Sequence, residues 1–166
     1  SVFSESFFDY PVMRFVLGAQ GHYADRLRRL VTFFVMARGL RDEVVFGIRQ
    51  PGGLAAAAPV SYPDGGPGAP ALSAVREETW GELGAEARSR YEAYGAATVP
   101  FAVDAAHIHL NMVGVRTSAQ GRGLGRALME AVHALSASRP ASTGVTLSTE
   151  VASNVTLYEH FGYEVI

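Results

Sequence analysis

Apolar residues recur along the chain with two periods, one near 3.6 and one of two, and these place its elements. From Tyr23 they fall at Leu27, Leu30, Phe34 and Val35, with arginines opposite and Gly39 beyond, which predicts an amphipathic helix over 21–38. The segments 43–48 and 54–60, separated by Gln50-Pro51-Gly52-Gly53, read as a hairpin, although the alanines of the second strand weaken its pattern. Residues 61–70, SYPDGGPGAP, form a loop. Leu72, Val75, Thr79, Leu83, Ala87 and Tyr91 resume the helical period, giving one or two helices over 71–94 with a break at Gly81 or Gly84.

In the second half, 107–115 alternates: Ile108, Leu110 and Met112 share one face, and His107, His109 and Asn111 the other. A glycine-rich turn follows, then a helix with Leu124, Leu128, Ala131 and Leu135 on one side, ending at Arg139-Pro140. A strand over 144–150, a short helix over 154–160 and a strand over 163–166 complete the reading. There is no internal repeat.

Length and composition describe one globular domain: 166 residues, 48% hydrophobic and 18% charged. A net charge of -2 and a pI near 6.2 leave no electrostatic footprint for nucleic acid. The apolar run Leu30–Ala37 is far short of the ~20 residues of a membrane span, and the N-terminus lacks a signal-peptide shape, so a cytoplasmic protein with no membrane partner is expected. Without cysteine there is no disulfide, thiolate metal site or acyl-cysteine intermediate, and no metal is expected.

The chemistry concentrates in Gln120-Gly121-Arg122-Gly123-Leu124-Gly125-Arg126. Three glycines at a helix start cost about 0.8–1.0 kcal/mol each against alanine where they are helical, which calls for a reason. A dinucleotide fingerprint fails, because its third glycine would fall on Arg126 or Leu128. A simple turn remains open. So does an anion cradle, in which unpaired N–H groups and the positive end of the helix dipole meet a diphosphate, with Arg122 and Arg126 adding charge.

With Gln120, Gly123 and Gly125 in the pattern Q/R-x-x-G-x-G/A after a strand, the sequence resembles the GNAT-type N-acetyltransferases. LNMVGVRTSA before the cradle resembles that family's fourth strand, and Leu157-Tyr158-Glu159-His160-Phe161-Gly162-Tyr163 its LYE(K/R)xGF block. The resemblance covers 107–166, with the N-terminal part matching in outline as helix, helix, strand, strand. It implies an α/β (α+β) fold: a twisted, mostly antiparallel sheet with helices on both faces, parallel only where the fourth and fifth strands splay around an acyl-CoA site. The family closes its sheet with a further strand, so the natural chain is expected to continue past Ile166.

The resemblance also implies roles. Acetyl-CoA would lie with its pyrophosphate on Gln120, Gly121, Arg122, Gly123, Leu124, Gly125 and Arg126, and its pantetheine along Val113, Gly114 and Val115. Asn154 would flank that arm, although it lies four residues before Tyr158 where many members have seven. The N–H of Val113 would stabilise the oxyanion and Tyr158 would protonate the leaving thiolate, a phenol near pKa 10 suiting a thiol near 8.5. His109 sits where several members carry a base, with Glu150 as the alternative; a strand histidine satisfied by its neighbours is the plainer reading. The family's acceptor pocket maps to the loop between the first two helices (Tyr10, Met13, Phe15, Leu17) and to Trp80, Tyr91 and Tyr94, at least half of which suit the core equally well. The expected activity is direct acetyl transfer to a primary amine, most simply a small molecule. A protein N-terminus or lysine, and a non-catalytic acyl-CoA-binding sensory domain, are the alternatives, and a homodimer is left open.

Overall fold

The computed structural model describes residues 1–19 and 21–166. The order of elements is α1 (Val2–Ser6), α2 (Pro11–Leu17), α3 (Tyr23–Gly39), β1 (Val45–Gln50), β2 (Gly53–Ser61), α4 (Ala71–Leu83), α5 (Ala85–Thr98), β3 (Ile108–Leu110), β4 (Gly114–Val115), α6 (Leu124–Ser138), β5 (Val145–Thr146) and α7 (Ala152–Glu159). The sheet runs β1-β2-β3-β5, with β4 also on β2. All pairings are antiparallel except β3 with β5, where Ile108 meets Val145 and His109 meets Thr146.

The alanine run that weakened the strand pattern is the centre of the sheet. Ala55–Val60 are all buried because β2 has neighbours on both edges and helices on both faces. Side chains alternate across a strand, so Ala56, Ala58 and Val60 join Leu128, Met129 and Val132 of α6, while Ala57 joins Leu27, Leu30 and Val31 of α3. Small residues let both helix layers approach the strand. On α6, Leu128 and Val132 are one helical turn apart and almost fully buried, and one turn further Ser136 donates to the carbonyl of Gly144 at 3.0 Å, tying the helix to the start of β5.

Several expected boundaries are corrected. Strand 107–115 is two short strands, because Asn111–Val113 form a bulge: Leu110 and Gly114, four residues apart, face Val60 and Ala57, three apart. The strand expected over 144–150 pairs only at Val145–Thr146, since its partner β3 turns away beyond Leu110. Residues 163–166 form no strand; no described segment pairs with them. The stretch 71–94 is two helices hinged at Gly84, with Gly81 inside the first. Tyr10–Leu17, expected as loop, enter α2, whose Pro11 opens the helix where its missing N–H costs nothing.

Candidate active site

The glycine turn is built by its backbone. Gly123 caps α6 in the left-handed region (φ 76°, ψ 5°), a conformation costly for residues with a Cβ, and among the described residues no side chain caps the helix. Intrahelical bonding starts with the N–H of Ala127 on the Gly123 carbonyl at 3.0 Å, so the N–H groups of Leu124, Gly125 and Arg126 have no helical acceptor. A Cβ built at Gly121 or Gly123 would meet open space. The surface above these amides is therefore accessible to a ligand, and the residues fit a diphosphate. Arg122 is exposed, and Arg126 lies over the Phe161 ring at 5.6 Å with Glu130 at 3.9 Å. Gln120 reaches back to the Val115 carbonyl at 3.4 Å.

The bulge separates β4 from β5 and opens a wedge. The N–H of Arg116 bonds the Ala55 carbonyl at 2.8 Å; by strand alternation the N–H of Val115 faces the opposite edge, toward the wedge. The N–H groups of Met112 and Val113 have no hydrogen-bond partner among the described residues. Gly114 has a packing role as well: a Cβ there would lie 3.0–3.2 Å from Ser6, Phe3 and Val2 of α1. The same helix reaches the edge through Ser6, which donates to the Val115 carbonyl at 3.1 Å, and Glu5, which accepts from the Thr117 N–H at 2.6 Å. That hydrogen bond holds the Glu5 carboxyl below its ordinary range.

His109 lies on β3 with Nδ1 2.9 Å from Thr146 Oγ1, across the parallel pair. Burial, reinforced by His107 and Arg38, pushes its pKa down to about 4, so the imidazole is neutral at physiological pH. Tyr158, from α7, faces the same space; burial raises its pKa, with Tyr10 and Glu150 adding to the shift, so it stays a protonated phenol. Its ring meets Tyr163 edge-on at 6.0 Å. Around the end of β5, Tyr94 donates to Glu150 at 2.5 Å, the Glu150 N–H donates to the Tyr10 hydroxyl at 3.2 Å, and Asn154 donates to Thr149 Oγ1 at 3.2 Å.

These side chains line one cleft of about 1370 Å³ together with Met112, Val113 and Thr146. Of the residues expected in an acceptor pocket, Tyr10, Met13, Trp80, Tyr91 and Tyr94 reach it; Phe15 and Leu17 do not, Leu17 being fully buried in the core and Phe15 half exposed. Sequence reasoning missed Thr146, Thr149, Glu5 and Ser6. Thr146 was recoverable from the register of a parallel pair beside His109, whereas nothing local in Glu5 or Ser6 points more than a hundred residues ahead.

Comparison with known proteins agrees with this architecture. Residues 77–165 match the family model "Acetyltransferase (GNAT) domain". A solved structure from Corynebacterium glutamicum ATCC 13032, described as histone acetyltransferase HPA2 and related acetyltransferase, superposes with a TM-score of 0.66 at 20% identity, covering 97% of this chain and 75% of that one. No curated protein matches the sequence. The α/β sheet with one parallel pair is thus the fold of that neighbour, and with the matched span covering more than half of the sequence, the chain belongs to the GNAT acetyltransferase family.

Proposed function

We propose that the chain transfers an acetyl group from acetyl-CoA directly to the primary amine of a small molecule. The observation that carries this reading is continuity: Met112 and Val113 of the bulged edge line the cleft, and the chain runs on through Gly114–Val115 within a few residues into the glycine cradle of 120–126. A thioester held along that edge, with its diphosphate on the amides of Gly121–Arg126, would place its carbonyl at the Val113 N–H. One such preorganised donor is worth about 2.7–4 kcal/mol to an oxyanion.

Proton movements are assigned to the chain's own groups. Tyr158, kept protonated by burial, supplies the proton to the departing thiolate. His109, kept neutral, is too weak a base for a free ammonium, and the more acidic ammonium of a tetrahedral adduct is the better proton source for it. Glu150, a carboxylate at the cleft already accepting from Tyr94, is the alternative base and draws a cationic amine inward. With no cysteine, transfer is direct.

A protein lysine or N-terminus is the second acceptor class, raised by the description of the Corynebacterium neighbour; the cleft at Trp80, Tyr91 and Tyr94 favours the small molecule. Residues 1–166 are read as one cytoplasmic acetyltransferase domain. The test is CoA release from acetyl-CoA with a panel of small amines and lysine peptides: turnover with amines supports the reading, and turnover confined to peptides refutes its acceptor class.

A further inference from the structure

The cleft is electrically two-ended. Around Tyr91 stand Arg38 and Arg41, near the C-terminus of α3, and Arg76 of α4; at Tyr94 stands Glu150, and Glu92, Glu159 and Glu164 also line the cleft. All fourteen basic residues of the chain are arginines, and two of the four that line the cleft are committed. Arg38 is paired with buried Glu43 at 2.9 Å and donates to Ser61, and Arg88 is paired with Glu77 and Glu92. Arg41 and Arg76 differ: among the described residues neither meets a carboxylate, and Arg41 makes only a 3.3 Å bond to the Ala37 carbonyl.

Arg41 is also held in place. The loop before α4 packs on its stem, where a Cβ at Gly68 would lie 3.1 Å from Arg41 Cγ, and the Ala69 N–H bonds the Leu40 carbonyl at 2.7 Å. Between the two ends runs one face of α5. Tyr91 lies against Trp80 at 4.9 Å and Phe34 at 5.8 Å, beside the arginines; Tyr94, three residues on and about 4.5 Å along the axis, holds Glu150. An occupant spanning those two rings would meet a cation-seeking carboxylate at one end and two guanidinium groups at the other.

We infer that the acceptor is an amine that also carries a carboxylate, its amine directed to Glu150 and its carboxylate to Arg41 and Arg76. This rests on acetyl transfer to a small amine and specifies its substrate class. Guanidinium groups suit that role because they present planar, paired donors to a carboxylate. The aromatic floor at Tyr91 and Trp80 suits an apolar body between the two charges.

The test compares amino acids with their decarboxylated amines and carboxamides, aromatic and aliphatic, by continuous thiol detection of CoA release. The acid is expected to exceed its matched amine at least tenfold in kcat/KM, mainly through KM. In R41A, R76A and the double variant the acid-to-amine ratio should collapse toward one, and R76K should restore part of it; circular dichroism checks that each variant is folded. Amines that match or exceed their acids overturn this assignment while leaving acetyl transfer standing, as does a ratio that survives in the double variant. No turnover with any acid or amine overturns both.

Discussion

The neutral, buried imidazole of His109 makes a prediction that links stability to pH. Its pKa is about 4 in the folded chain and 6.5 in an ordinary environment; as pH falls, the unfolded chain takes the proton first, and stability must fall with it. The cost begins near pH 6.5, reaches about 1.4 kcal/mol at pH 5.5, and levels off near pH 4 at about 3 kcal/mol, using 1.36 kcal/mol per pH unit. The sign follows from burial, which penalises the imidazolium and leaves the folded form short of a proton throughout that window. His109→Asn removes the titration while keeping a polar atom near Thr146. Urea unfolding of wild type and variant, followed by circular dichroism from pH 4 to 8, isolates the contribution as the difference of two pH profiles, because the other titrating groups cancel. The variant's profile should be flatter by about 3 kcal/mol. Parallel profiles would show that burial does not depress the His109 imidazole, and the link between its burial and the acid sensitivity of the fold would fall with that.

Further outcomes follow from the site and the core. Gly123→Val, forced into a left-handed backbone and projecting toward the open amides, should weaken CoA binding at least tenfold by calorimetry; wild-type affinity in a folded variant would remove the cradle. Tyr158→Phe should lower kcat by 10²–10⁴-fold with CoA affinity nearly intact, and a change under threefold would leave thiolate protonation to water. Leu128→Ala, at a side chain 2% exposed between α6 and β2, should cost 2–5 kcal/mol in urea unfolding. Gly114→Val should destabilise the chain by pushing α1 off β4, measurable as a lowered Tm.

Much of the architecture was legible because its causes are local. The stripe at Leu27, Leu30 and Phe34 specifies α3 wherever it packs, and the alternation at Ile108, Leu110 and Met112 separates a buried face from the face bearing His109 whatever strand lies beside it. Gln120–Arg126 could be read as an anion cradle because glycine conformations and free first-turn amides are properties of a few consecutive residues. The bulge at Asn111–Val113 has no such signature, since it arises from the pairing of β3 and β4 with different parts of β2. The basicity of His109 was likewise undetermined: the residue type gives 6.5, and burial beside Thr146, from a strand 37 residues away, gives about 4. The two-ended charge of the cleft exists only after α3, α4, α5 and the end of β5 converge, because electrostatics depends on distance in space. Sequence determined which groups were available and on which face of each element they lie. Tertiary packing decided which were desolvated, which were neutralised by a partner, and which remained free to meet a substrate.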